Sequence, residues 1–251
     1  MSGSRLEILK TMGVDVYVHR DQAVEEIEAP KETPEPVAVE VAQAVPPEPV
    51  LQDETPAGNA DDIAHLEWIP LRERVTACVQ CAELCANRTQ TVFGVGNQRA
   101  DLMVVGEAPG RDEDRQGEPF VGRAGQLLDR MLLAMGQERS QVYIANILKC
   151  RPPNNRDPKP DEADACRAFL ERQIALVQPK VLLSVGRISA QNLLHTQQAV
   201  GRLRGRVHTL EPAGLPLIVT YHPAYLLRQP SEKRKVWDDL QRAMAVLDEV
   251  A

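Results

Sequence analysis

Four short apolar runs, 102–105, 142–147, 181–185 and 217–220, alternate with longer stretches, 126–135, 161–177, 188–194 and 231–247, whose apolar residues recur at helical spacing. This alternation restricts the fold more than any other feature. A run that is apolar throughout has no wet face, so as a strand it must be covered on both sides. Intervening helices supply that cover when the strands run parallel. The predicted class is therefore α/β, a three-layer αβα sandwich with a mainly parallel central sheet. Ligands of such sheets sit beyond the carboxyl ends of the strands. Asp161, directly after Pro160, is the predicted N-cap of its helix.

The chain divides by composition into three parts. Residues 1–22 read as a short helix stopped by Gly13 and followed by an alternating strand over 14–19. Residues 23–60, rich in Pro, Glu, Ala and Val, have the composition of a disordered acidic linker. Residues 61–251 form the predicted domain. The first 70 residues carry four basic against 15 acidic side chains, and the remaining 181 carry 25 against 21. A mildly basic body behind an acidic front is compatible with a polyanionic partner. The front end reads as a tether or partner-binding arm of unknown partner. No apolar run approaches the ~20 residues that span a bilayer, and the N-terminus lacks the features of a secretory signal. A cytoplasmic protein follows, with no membrane partner, in which the five cysteines are more readily ligands than disulfides.

The strand exits carry the chemistry. The first ends in Gly106-Glu107-Ala108-Pro109-Gly110, a sequence that must turn sharply and that brings Glu107, Asp112, Glu113 and Asp114 to the exit. It is not a P-loop, because no Gly-Lys-Ser/Thr follows. Phe120, one of three phenylalanines, stands in a glycine-flanked loop, either as plain packing or as a stacking platform for a base. Gly122 and Gly125 flank Arg123 where a helix begins, which suits an anion such as phosphate. Asn146 stands late in the second run. Buried without a partner it would cost ~1–3 kcal/mol, so it either caps a loop or offers its donor and acceptor to a ligand. His222 ends the last run and is followed by Pro223, which restricts its backbone. His19, His65, His195 and His208 lack such settings.

Cys78 and Cys81 form a Cys-x2-Cys pair, with Cys85 four residues on and Cys150 and Cys166 on either side of a Pro-rich loop. Four thiolates suit a [4Fe–4S] cluster or an all-thiolate zinc site, and spacing alone does not separate the two. Five cysteines for four places leave one spare. Cys85 is the choice, as a buried thiol acting as a small hydrophobe.

Taken together and in order, GEAPGRDED, GEPFVGRAGQLL, NILKCRPPNNRDP, HPAYLLR, FGVGN, the Cys78–Cys81 pair and Cys166 resemble family 4 of the uracil-DNA glycosylase superfamily, the bacterial and archaeal iron–sulfur type. The resemblance covers about residues 75–245. It implies a DNA-repair hydrolase that flips uracil from single- or double-stranded DNA and cleaves its N-glycosidic bond. It also implies a structural [4Fe–4S] cluster on Cys78, Cys81, Cys150 and Cys166. Phe120 resembles the residue that stacks on uracil, Asn146 the one that reads its pairing edge, and His222 the one that meets O2. Gly106, Glu107 and Ala108 stand where the family's first motif lines the pocket. Ala108 replaces the water-positioning Asp of the best-known superfamily members, so Glu113 becomes the candidate for orienting water. Gly110 replaces their thymine-excluding Tyr. Arg123, Lys149 and Arg228 are the expected phosphate contacts, with Leu226 or Leu227 a wedge into the vacated stack or plain helix packing. Three alternatives remain at this point: a catalytically idle cluster-bearing DNA-binding or partner-docking module, a zinc hydrolase, and a glycosylase that accepts other deaminated bases as well as uracil.

Overall fold

The computed structural model describes residues 60–249; the segment 1–22 and all but the last residue of the linker 23–60 lie outside them. Three helices come first: α1 (Ala60–Ile63), α2 (Trp68–Thr76) and α3 (Ala82–Asn87). The body then runs β1 (Val95–Gly96), β2 (Leu102–Gly106), α4 (Arg111–Gln116), α5 (Arg123–Ala134), β3 (Tyr143–Asn146), α6 (Pro160–Val177) and β4 (Val181–Val185). It closes with α7 (Arg187–Leu193), α8 (Val200–Leu203), β5 (Val207–Leu210), β6 (Leu215–Thr220), α9 (Pro223–Arg228) and α10 (Lys233–Glu249).

The sheet has the order β1-β3-β2-β4-β6-β5. Its four central strands are parallel and its edges, β1 and β5, antiparallel. Alternation along β2 decides the layers. Leu102 and Val104 pack with α5 and α10 through Leu128, Met131, Val236 and Leu240. Met103 and Val105 pack on the other side with α6, α7 and α8 through Leu170, Ile174, Ala190 and Leu203. Both faces are thus covered, as fully buried strands require, and the three-layer α/β expectation holds. β2 leads to β3 on one side and β4 leads to β6 on the other, so the chain reverses its direction of travel between β2 and β4. Their carboxyl ends therefore open the crevice where ligands bind such sheets.

Some local expectations shift. Helix α6 starts at Pro160, and Asp161 lies inside its first turn rather than at the cap. Lys159 is the cap, and its backbone N–H donates to the Glu162 carboxylate at 2.9 Å, half of a capping box. The acidic stretch after Gly110 is the first turn of α4, where negative charge suits the helix dipole. Strands β1 and β5 were not foreseen; β5 has an alternating half-exposed pattern.

Candidate active site

An open cleft of about 780 Å³ lies at the strand exits, lined by Glu107, Ala108, Phe120, Asn146, Gly186 and His222 among others. Three residues from distant parts of the chain meet there. The Phe120 and His222 rings stack with centroids 5.6 Å apart and 28° between planes. Gly106 stands against both other partners: a Cβ on it would lie 2.4 Å from Asn146 Oδ1 and 2.7 Å from the Phe120 ring. Any side chain at that position would displace the amide or the ring. Phe120 itself has φ 56°, a region uncommon for a bulky residue. What holds it is the start of α5, where a Cβ on Gly125 would come 1.7 Å from the Phe120 carbonyl oxygen. Gly106 is thus the close-approach position for the ring, and Gly125 the one for the Phe120 main chain.

Asn146, the last residue of β3, is 3% exposed, and among the described residues its side-chain amide has no hydrogen-bond partner. Its carboxamide faces the cleft, so a ligand offering a donor and an acceptor would relieve that cost. His222 caps α9, and its Nδ1 accepts the Ala224 N–H at 3.1 Å. Accepting at Nδ1 leaves the proton on Nε2. Burial, and then the Arg228 guanidinium, push its pKa down to about 4. At neutral pH His222 is therefore an uncharged Nε2–H donor. Glu107 behaves in the opposite sense. Burial chiefly, with Asp157 nearby and Arg187 opposing, raises its carboxyl to about 7.

The acidic trio separates by role. Asp114 is buried and accepts the Thr89 N–H, and Asp112 pairs with Arg115; only Glu113 lines the cleft. Its carboxylate accepts the Gly122 N–H at 3.4 Å and lies 2.6 Å from where a Gly110 Cβ would be. The anion at the start of α5 is therefore the protein's own Glu113, not a phosphate. Arg123 and Arg228 are exposed beside the cleft. Lys149 is not: it is 1% exposed, with Nζ bonded to Asn146 O and Gln173 Oε1, so it cannot reach DNA. Leu226 is fully buried among the core side chains and is no wedge, whereas Leu227 is 40% exposed. Sequence reasoning missed Gly186, Arg187, Tyr221 and Tyr225, which also line the cleft. A Val-Gly-Arg at the exit of β4 was the available signal for the first two.

Behind the cleft, Cys81, Cys150 and Cys166 form one cluster with Leu84 and Leu148, and Ala108 belongs to both that cluster and the cleft wall. Cys78 is close enough to raise the thiol pKa values of Cys81, Cys150 and Cys166. All three are pushed up to about 11, mainly by burial. They would stay protonated unless a metal displaced the proton. Arg88 Nη1 donates to Cys150 Sγ at 2.8 Å and Nη2 to the Cys78 carbonyl at 2.7 Å. Cys85 is half-exposed rather than buried, and its thiol donates to the same carbonyl at 3.4 Å. Among the described residues, no three His, Cys, Asp or Glu side chains converge tightly enough to hold a single metal ion. No described helix is long and apolar enough to cross a membrane.

Residues 93–241 match the sequence profile of the Uracil DNA glycosylase superfamily. The Type-4 uracil-DNA glycosylase of Archaeoglobus fulgidus is 44% identical over 174 residues, covering 67% of this chain and 87% of its own. That of Thermotoga maritima is 41% identical over 179 residues, covering 70% and 92%. A Type-5 uracil-DNA glycosylase of Thermus thermophilus is 28% identical over 184 residues, covering 60% and 84%.

Proposed function

The chain belongs to the uracil DNA glycosylase superfamily, and on that premise we propose that it flips uracil out of DNA and hydrolyses the bond from base to deoxyribose. It is a base-excision-repair hydrolase that leaves an abasic site. The observation that carries this reading is the buried, unpartnered Asn146 amide beside Phe120 and a neutral His222 in one cleft.

Extrusion of a base costs a few kcal/mol, and stacking on Phe120 returns ~1–3 kcal/mol. Rings 5.6 Å apart leave no room for a third between them, since that needs about 7 Å at van der Waals contact. The base therefore rests on the Phe120 face beside the imidazole, with its rim against His222. Asn146 then donates to O4 and accepts N3–H, a pairing that cytosine reverses. As the C1′–N1 bond breaks, its electron pair leaves with uracil and charge grows on O2. The His222 Nε2–H is the donor for that oxygen, and such preorganised donors contribute typically ~2.7–4 kcal/mol. Water adds to the cationic C1′ and gives up a proton, and Glu107, balanced near neutrality, is the group suited to receive it. Glu113, the candidate for orienting that water, lines the cleft over Gly110, where it is also the wall a thymine methyl would meet. Arg123, Arg228 and Arg187 are the phosphate contacts of the cleft rim, with Leu227 the remaining wedge.

Cys78, Cys81, Cys150 and Cys166 would hold a [4Fe–4S] cluster, which supplies a structural staple and a fixed charge. The residues fit: the four thiols are mutual neighbours and two cations, Arg88 and Lys149, border them, while Cys85 stands at the edge of the site with its thiol on the Cys78 carbonyl. An all-thiolate zinc site would use the same four residues, and measured iron and sulfide content separates the two. Free thiols at such a site suit a reducing compartment such as the cytoplasm. Incubation with uracil-containing single- and double-stranded oligonucleotides, followed by alkali, should break the strand at uracil. Binding without scission would instead identify the idle DNA-binding module.

A further inference from the structure

Lys149 is among the largest of the fully buried side chains, and no carboxylate meets it among the described residues. Its ammonium donates to the Asn146 carbonyl at 2.9 Å and to Gln173 Oε1 at 2.6 Å. Gln173, also fully buried, is pinned in turn by donating to the Phe93 carbonyl at 2.9 Å and to Tyr143 Oη at 3.1 Å. A buried cation without an anion is costly. The charge partners within its reach are Cys166 and Cys150, one of them its neighbour in sequence. The same side chain thus touches the residue that faces the base and borders the thiol site.

We propose that Lys149 is a positioning residue that couples the thiol site to base recognition. Liganded thiolates balance its charge, and its hydrogen bond to the main chain of Asn146 holds that residue at the end of β3. The inference rests on the cluster assignment made above. It means that loss of the cluster would loosen uracil recognition although the cluster itself touches no base. Arg88 provides the contrast, because it donates to Cys150 Sγ and the Cys78 carbonyl and to no residue of the pocket.

The test uses the full chain with iron and sulfide contents measured first; wild-type protein lacking both would remove the cluster assignment itself. In cluster-loaded protein, Lys149→Met should move the reduction potential to more negative values, since hydrogen bonding and charge near the sulfurs set it. It should also weaken the inhibition by free uracil and lower kcat/KM by about tenfold or more, the scale of one charged hydrogen bond. Arg88→Met should shift the potential the same way yet keep the wild-type affinity for free uracil. A loaded Lys149→Met protein with wild-type uracil affinity overturns the proposal. If that variant does not fold, Gln173→Leu removes the other acceptor of Lys149 and should weaken free-uracil binding in the same direction. Unchanged binding there, with the cluster retained, also overturns it.

Discussion

The cleft and the thiol site stand back to back across Ala108, yet they are built in opposite ways. The cleft is assembled from the exits of four parallel strands. Its geometry depends on what is missing: Cβ atoms at Gly106, Gly110 and Gly125 would collide with Asn146, Glu113 and Phe120. It carries strain at Phe120 and an unsatisfied amide at Asn146, both features of a surface waiting for a ligand. The thiol site is a packed apolar nest of Leu84, Leu148 and sulfur, tied from outside by Arg88 and by Arg156, which bonds to both Glu162 and Glu83. One region trades stability for recognition; the other supplies stability. Substitutions should therefore separate the two.

The sharpest separation comes from His222→Ala or Asn146→Ala. Single-turnover uracil release should fall ~100-fold or more, the value of a preorganised donor, with visible absorption and Tm unchanged. If either variant releases uracil at the wild-type rate, the pocket assignment breaks. Gly125→Ala should come next. It pushes the Phe120 carbonyl from a contact of 1.7 Å to the new Cβ, and misplacement on that scale can cost about 100-fold, again without touching the thiol site. Phe120 in its wild-type rotamer with normal rates would show that the ring is not positioned this way.

The pH profile reads the same region more gently. Glu107 has its pKa raised to about 7 and acts as the carboxylate, so activity should rise with pH and level off above 7. Below that, it should drop about tenfold per pH unit, following the ionised fraction. His222 titrates only near 4, which leaves the window between to Glu107. Glu107→Gln should abolish the slope, measured as kcat/KM across pH 5–8; a persisting slope assigns it elsewhere. On the other side, Cys166→Ser should bleach the visible absorption expected of the proposed cluster and lower Tm, by about 2–4 °C for each kcal/mol lost, before it changes the chemical step. The smallest effect belongs to the rim. Arg228→Ala should weaken DNA binding evenly across sequences and reduce the salt slope by about one.

Legibility in the sequence followed the range of the interactions. Each central strand and long helix was readable because burial on both faces and helical spacing are written into consecutive residues. The edge strands were not: β1 is two residues long and β5 alternates, so neither carries a continuous apolar signal. At the site, Phe120, Asn146 and His222 stood out because glycine, amide and proline contexts are local. The misassignment of Lys149 came from the usual rule that lysine is exposed; its burial depends on Gln173, 24 residues further along the chain.

By itself the sequence determined the α/β class, the strand exits that carry chemistry and the set of thiols, because local pattern and turn chemistry are enough for these. Tertiary structure alone decided that His222 is an uncharged Nε2–H donor, that Glu113 fills the space above Gly110, and that Lys149 lies inside. Each depends on how groups distant in the chain exclude water from one another, and desolvation is a property of the packed assembly that no single stretch encodes.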